Sequence, residues 1–163
     1  MSRRSLLGAG LTAATVAVAV GAAKAGGVLD DALRGLGAEP HPEPDPGDTR
    51  RLARAATAQA GIIGAIDAAI AAHGDLKSNL DPLRLVADEQ LVAVGGRLAS
   101  TDVKPAPGDP RTVAADLSTM AADSAKARET DAISAANPDT ARVLASMSAG
   151  LSQLAAALGL VAP

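Results

Sequence analysis

Residues 137–160, NPDTARVLASMSAGLSQLAAALGL, decide the fold of this chain. Their large apolar residues recur at alternating spacings of three and four, which predicts an amphipathic helix with one apolar seam. Asn137 can cap the first turn, Pro138 suits the first helical position, and Gly159 predicts a left-handed residue that ends the helix. The seam consists of Leu144, Met147, Leu151, Leu154 and Leu158. Such a seam needs partner helices to cover it.

The composition favours an all-α fold. Of 163 residues, 48% are hydrophobic and 20% are charged, and the chain contains no Phe, Tyr, Trp or Cys. Alanine, the strongest helix former, dominates the apolar residues, whereas residues that favour strands are scarce. The missing aromatic residues and the net charge of −3 argue against a nucleic-acid partner. Without cysteine, disulfides, iron–sulfur clusters, thiol catalysis and Cys-based zinc sites are excluded.

Residues 1–25 resemble a twin-arginine export signal. Arg3 and Arg4 precede a moderately apolar run, and Ala23 and Ala25 flank a lysine to give a small-x-small cleavage site. We therefore expect the chain to be exported by the twin-arginine machinery, either as a secreted protein or as part of the cell envelope.

The alternative is an uncleaved membrane anchor formed by residues 6–23, whose length is close to the lower limit for a spanning helix. Residues 26–48 follow as a tether. Its part from 39 to 48, EPHPEPDPGD, alternates proline with acid and predicts an extended spacer. His41, inside this spacer, is interpreted as a solvated residue.

Three further helices are predicted before the last one. They are residues 48–73, capped by Asp48 or Thr49, a second helix that starts at Asp81 and Pro82, and residues 111–136 after the cap Asp109. Short connections favour antiparallel neighbours, so we predict an up-down-up-down four-helix bundle over residues 49–160. Gly61 and Gly64 suggest the close approach of a neighbouring helix, and Gly95 with Gly96 predicts an early end or a kink of the second helix.

Each of these helices has an apolar stripe of its own. The stripes are Leu52, Ala55, Gln59, Ile62, Ile66, Ala69 and His73 on the first helix, Leu83, Ala87, Leu91, Val94 and Leu98 on the second, and Val113, Leu117, Met120, Ala121 and Ala125 on the third. Arg128 and Asp131 are expected to face mostly outward. Gln59 allows three interpretations, which are a buried hydrogen-bonding residue, a remnant of a ligand position and a residue on the rim.

Two stretches carry a family resemblance. They are AAHGDLKSNLDPLRLVADEQ at residues 71–90, where relatives often show a His-Pro-x-Leu turn, and NPDTARVLASMSAGLSQLAAAL at residues 137–158. From about residue 52 to residue 158 the chain resembles the exported ferritin-like proteins of high-GC Gram-positive bacteria. These are small four-helix domains that often carry a lipoprotein or twin-arginine signal.

The chain departs from that family at the metal ligands. Ferritin-like sites combine a Glu from each of two helices with Glu-x-x-His pairs from the other two. Here the last helix has Leu151-Ser152-Gln153-Leu154 where such a pair is expected, and Val92 stands three residues after Glu89. We therefore predict no metal site and no cofactor. Should the chain nevertheless bind metal, the candidate ligands are Gln59, Glu89 and Asp123.

The sequence contains no convincing catalytic arrangement. His73 is the only histidine in the helical region, and neither a nucleophile elbow nor a phosphate-binding loop is present. Our first hypothesis is a noncatalytic exported helical bundle that acts as an envelope-associated scaffold or by protein contact, with a homodimer as one form of contact. The alternatives are a ferritin-like metal-binding or redox protein with a cryptic site, and a small-molecule carrier with an apolar cavity.

Overall fold

The computed structural model describes residues 45–98 and 105–161. The predicted export signal, its cleavage site, the anchor alternative, His41 and most of the tether fall on residues 1–44, outside the described part. Within that part every regular element is helical, which confirms the all-α prediction. The elements are α1 (Pro46–Ala72), a 3₁₀ turn (Gly74–Leu76), α2 (Lys77–Ala93), α3 (Pro110–Ile133) and α4 (Pro138–Val161).

The first helix, α1, begins earlier than predicted because Asp45 caps it. Asp45 Oδ1 accepts a hydrogen bond from the backbone N–H of Asp48 at 2.9 Å. Pro46 takes the first helical position, where its fixed φ fits and no N–H is needed. The prediction that Asp48 or Thr49 caps this helix is therefore wrong, and the Asp48 carboxylate is left available for other partners.

The start of α2 also differs from the prediction. The helix is continuous from Lys77, so Asp81 and Pro82 lie inside it and do not open it. Pro82 has no N–H and therefore leaves the carbonyl oxygen of Ser78 without its helical hydrogen bond. The proline is tolerated because Ser78 is exposed in the first turn, where water can replace that bond. Asp81 instead forms an ion pair with Lys77, with 2.7 Å between Oδ2 and Nζ.

The predicted caps of α3 and α4 are confirmed. Asp109 Oδ1 accepts from the N–H of Thr112 at 3.0 Å, and Asn137 Oδ1 accepts from the N–H of Asp139 at 2.7 Å. The prediction for Gly159 is wrong. α4 continues past this glycine without a left-handed residue, because the chain beyond it still packs against the core.

A glycine pair ends α2, as predicted. Gly95 has a left-handed φ of 77° and donates its N–H to Val92 O at 2.9 Å, while the N–H of Gly96 reaches Leu91 O at 2.9 Å. These two bonds form a Schellman motif, which needs a glycine at its left-handed position. They limit α2 to 17 residues, whereas α3 and α4 have 24 residues each.

The order of the helices differs from the prediction. Asp48, at the start of α1, binds the N–H of Asn137 just beyond α3, whereas Ala68 O, near the end of α1, accepts from Ala106 just before α3. α1 and α3 are therefore antiparallel. Short turns also make α1 antiparallel to α2 and α3 antiparallel to α4. The order is up-down-down-up and not up-down-up-down, because the connection from Ala93 to Pro110 is long enough to return along the bundle.

The core consists mainly of the predicted apolar stripes. All five residues of the α4 seam are buried, namely Leu144, Met147, Leu151, Leu154 and Leu158. On α3 three predictions are wrong. Met120 is 42% exposed, whereas Arg128 and Asp131 are buried. α3 faces α1 as well as α4, so its buried surface is wider than its apolar stripe and extends to these two charged residues.

Gly61 and Gly64 do not mark the close approach that we expected. A Cβ atom added to either of them would meet nothing within 4 Å, so both glycines lie off the helix contacts. The close approaches occur elsewhere. A Cβ on Gly96 would collide with Leu91 and meet Ala56 Cβ at 3.0 Å.

By length and composition alone, α1 and α4 could each cross a membrane. Both helices also supply buried core residues, such as Ile62 and Leu151. Helices that are buried inside a protein have the same apolar composition, so this finding does not assign α1 or α4 to a membrane.

Candidate functional site

Gln59 is the most deeply buried polar residue in the described part of the chain, with no exposed surface. Its Nε2 donates to the carbonyl oxygen of Ala87 at 2.9 Å and to Oε1 of Gln90 at 3.0 Å, both on α2. Its own Oε1 is buried and has no partner among the described residues. Of the three interpretations of Gln59, the structure supports the buried hydrogen-bonding residue.

At Gly150, α4 also approaches the Gln59–Gln90 pair. The Gln90 amide nitrogen occupies the space that a side chain at position 150 would need, so the Gln59–Gln90 pair lies where α1, α2 and α4 meet. Both groups are neutral carboxamides, which donate and accept hydrogen bonds but do not ionise near neutral pH. This glutamine pair can fix the register of three helices and can hold a water molecule or a neutral polar group. It cannot transfer protons as an acid or base.

The other two candidate ligands do not join Gln59. Glu89 is exposed on the outward side of α2, and Asp123 is exposed on α3, where its nearest cation is Lys126 at 3.8 Å. His73 lies at the end of α1, and its buried Nε2 has no hydrogen-bond partner among the residues that the structure describes. Across residues 45–98 and 105–161, no group of three His, Cys, Asp or Glu side chains could hold a metal ion.

Asp48 forms the best-connected polar site of the structure. Its Oδ1 accepts from Arg51 Nη1 at 2.9 Å and from the N–H of Ala136 at 3.1 Å, and its Oδ2 accepts from the N–H of Asn137 at 2.8 Å. Burial raises the pKa of Asp48, but the two backbone donors and the Arg51 guanidinium outweigh burial and lower the pKa below its ordinary 3.8. The carboxylate thus ties the start of α1 to the turn between α3 and α4.

A second charged cluster lies beside it. Asp131 Oδ1 accepts from Arg54 Nη2 at 2.7 Å, which links α1 to α3. Arg128 Nη2 lies 2.9 Å from Asp131 Oδ2, close enough for an ion pair, but its angle does not allow a hydrogen bond. Arg128 Nε and Nη1 are buried without partners among the described residues. Arg128 is only 5% exposed, and most of its N–H donors form no hydrogen bond with the described residues.

Sequence reasoning missed both charged clusters. Asp48 resembled a helix cap, and its true partners are far along the chain, so no local signal identified them. Arg128 did have a signal. It follows Ala121 and Ala125 at the spacing that continues the apolar stripe, but its charge suggested an outward position.

The opposite end of the bundle has a shallow groove that is open to solvent. It is lined by Ser78, Asn79, Pro82, Leu83, Ala157, Leu160 and Val161. The lining combines polar and apolar surface and contains no charged side chain. A groove of this kind can contact an apolar surface, but it does not enclose a ligand.

Comparisons of this chain with protein-family models, with curated proteins and with solved structures find no match. The resemblance to ferritin-like exported proteins therefore stays a prediction. A function for this chain is therefore inferred from its sequence and from its side-chain contacts.

Proposed function

We propose that this chain is a noncatalytic exported helical protein that acts as an envelope-associated scaffold or through protein contact. Export is inferred from the twin-arginine motif with Arg3 and Arg4 and from the cleavage site at Ala23 and Ala25. The acidic proline-rich spacer that precedes α1 would separate the helical part from an envelope surface. The noncatalytic role is inferred from the interior of the bundle.

The main support for this proposal is the composition of the bundle interior around Gln59. In a ferritin-like protein, inward-facing carboxylates and imidazoles fill this region. Here Ile62, Ile66, Leu151 and Leu154 are buried instead, and the Gln59 amide nitrogen is occupied by two acceptors of the protein itself. Buried leucine and isoleucine side chains offer no lone pair to a cation, so the interior supports packing better than ion binding.

The order of the helices supports the proposal that they have a ferritin-like arrangement. Ferritin-like bundles have one long crossover connection, and such a crossover produces an up-down-down-up order. The long connection from Ala93 to Pro110 fits that description. We therefore propose a ferritin-like arrangement that serves as a rigid helical body, with the resemblance extending to the fold and not to the metal ligands.

Elemental analysis of exported protein tests the proposal. The full chain would be produced with its own signal, recovered from the exported fraction without chelators, and analysed for iron, manganese, zinc and copper. We expect far less than one ion of any of these metals per chain. An ion bound at one per chain, and lost in the variant Gln59→Leu, would overturn the noncatalytic proposal.

The runner-up is a ferritin-like metal-binding or redox protein with a cryptic site. The observation in its favour is Gln59 Oε1, a buried oxygen acceptor without a partner in the described part of the chain. A cation would need further oxygen ligands beside it, and Glu89 and Asp123 would have to move inward from the surface to provide them. The small-molecule carrier has weaker support, because the groove at the other end of the bundle is open to solvent.

A further inference from the structure

Among the α-helices that the structure describes, α2 buries the smallest share of its residues. Of its 17 residues, only Leu80, Ala87 and Leu91 are buried, and two of these are large. The 24 residues of α4 include six buried ones, of which five are large apolar residues. Because packing of an apolar face provides most of the stability of a helix in a protein, α2 is held less firmly than α4.

The apolar contacts of α2 lie partly outside the main core. Ala87 and Leu91 form a small cluster of their own with Ile63 of α1. The main core reaches α2 through Leu80 and the partly buried Leu83, both in the first half of the helix. The second half of α2 therefore finds its apolar partners on α1.

The polar contacts of α2 also lead to α1. Gln59 Nε2 donates to α2 at Ala87 and Gln90, and Arg84 Nε donates to Asp67 Oδ1 at 2.7 Å. Over residues 45–98 and 105–161, no hydrogen bond or ion pair joins a side chain of α2 to α3 or α4. Detaching α2 therefore breaks no polar contact of the α3–α4 pair.

The other three helices hold one another without α2. Ser118 of α3 donates to a backbone oxygen of α4 at 2.8 Å, and Ser148 of α4 donates to a backbone oxygen of α3 at 2.9 Å. Asp48 ties the start of α1 to the turn between α3 and α4. None of these contacts needs α2, so α1, α3 and α4 can stay packed when it leaves.

Two features make it easier for α2 to leave. Leu85 is 60% exposed and Val92 is 65% exposed while α2 is packed, so these two large apolar side chains do little to hold it in place. Gln59 Oε1 is buried without a partner within the described residues. When α2 moves away, water can bind this oxygen, which offsets part of the cost of opening.

We propose that α2 is a lid, which opens as one unit while α1, α3 and α4 remain packed. Proteins open locally in cooperative units, and units with few buried apolar contacts open most easily. The opening uncovers Gln59 and Ile63, so this side of α1 becomes available for contact in the open state only. This inference does not depend on the noncatalytic proposal.

Native-state hydrogen exchange of the full chain tests the lid. The protection factors of amides in residues 83–92 should be lower than those of the best protected amides in α3 and α4 by a factor of about ten or more. Equal protection in all these helices would overturn the proposal, because α2 would then open only when the whole chain unfolds.

Two matched substitutions separate the opening of α2 from the unfolding of the whole chain. Glu89 on α2 and Gln153 on α4 are both exposed, and Glu and Gln have similar helix propensities. Glycine at either position should therefore destabilise its own helix by a similar amount, which corresponds to about a threefold change in an opening equilibrium.

The two variants should differ in which amides they affect. Gln153→Gly should lower the protection of α3 and α4 amides by about threefold and leave that of α2 amides unchanged, because α4 stays folded when α2 opens. Glu89→Gly should lower the protection of all α2 amides together by about threefold. Lower α2 protection in Gln153→Gly would overturn the proposal. A change in Glu89→Gly that is confined to the neighbours of residue 89 would do so as well, since it would indicate fraying and not a cooperative unit.

Discussion

Asp48 offers the sharpest prediction about stability. We consider the substitution Asp48→Asn, which keeps the shape of the side chain but replaces one acceptor oxygen with an NH₂ group. The carboxylate accepts three hydrogen bonds, from Arg51 and from the N–H groups of Ala136 and Asn137. Asparagine can accept from one side only, so its NH₂ group would face at least one backbone N–H and leave it unpaired.

The magnitude follows from these contacts. A hydrogen bond to a charged group contributes about 1.5–3 kcal/mol, and leaving a buried donor unpaired costs about 1–3 kcal/mol. For Asp48→Asn we therefore expect a loss of about 2–4 kcal/mol in the free energy of unfolding. Whole domains have unfolding free energies of about 5–15 kcal/mol, so this loss would be a large part of the total.

Urea unfolding followed by circular dichroism measures this loss. Asp45→Asn is a matched control, because Asp45 is the exposed cap of the same helix and asparagine is an equally good cap. We expect the control to change the unfolding free energy by less than about 0.5 kcal/mol. If Asp48→Asn also changed it by less than about 0.5 kcal/mol, the contribution of Asp48 to the contact between α1 and the α3–α4 turn would be refuted.

The pH dependence gives a second test of Asp48. Its pKa in the folded chain is lower than the ordinary 3.8 of the unfolded chain, so the unfolded state takes up the proton first as the pH falls. The stabilisation by Asp48 is fully present above that ordinary value and is lost as the pH falls through the folded pKa. The difference in stability between the unaltered chain and Asp48→Asn should therefore shrink below about pH 3.8. A constant difference would contradict the lowered pKa.

Two further predictions concern glycine and buried charge. Gly61→Ala should raise the unfolding free energy by about 0.5–1 kcal/mol. Gly150→Ala should lower it, because the new methyl group must displace the Gln90 amide. Equal effects of the two substitutions in thermal unfolding would contradict this prediction. Arg128→Met should cost less than about 1 kcal/mol, since most of the Arg128 donors have no partner within residues 45–98 and 105–161. Asp131→Ala should cost about 3 kcal/mol, because it removes the partner of two arginines. The reverse ranking in urea unfolding would refute that assignment.

The periodic parts of the fold could be predicted from the sequence. Leucine spacings identified the seam of α4 because burial follows the helical period, and Asp-Pro at 109–110 and Asn-Pro at 137–138 identified two helix starts because the cap and the proline act locally. The same rule failed at Asp81 and Pro82. A proline in the first turns of a helix loses a single hydrogen bond, and the preceding helical turn outweighs that loss.

The arrangement of the helices and the charged clusters could not be predicted in the same way. Whether α3 runs parallel or antiparallel to α1 depends on where the long connection leads, and local patterns do not determine that. Arg128 and Asp131 are charged residues, yet contacts with α1 bury them. Gln59 was identified as a residue to examine because it interrupts an apolar stripe. Its partners on α2 could be found only from the structure.

Thermal unfolding in the presence of metal ions tests most directly whether the bundle interior is apolar and closed to cations. A ligand that binds only the folded state raises the melting temperature, by linkage. The full chain would be unfolded with ferrous iron, manganese or zinc in excess and with a chelator. We predict the same melting temperature in all four samples. A metal that raises it in the unaltered chain, and fails to do so in Gln59→Leu, would contradict the account.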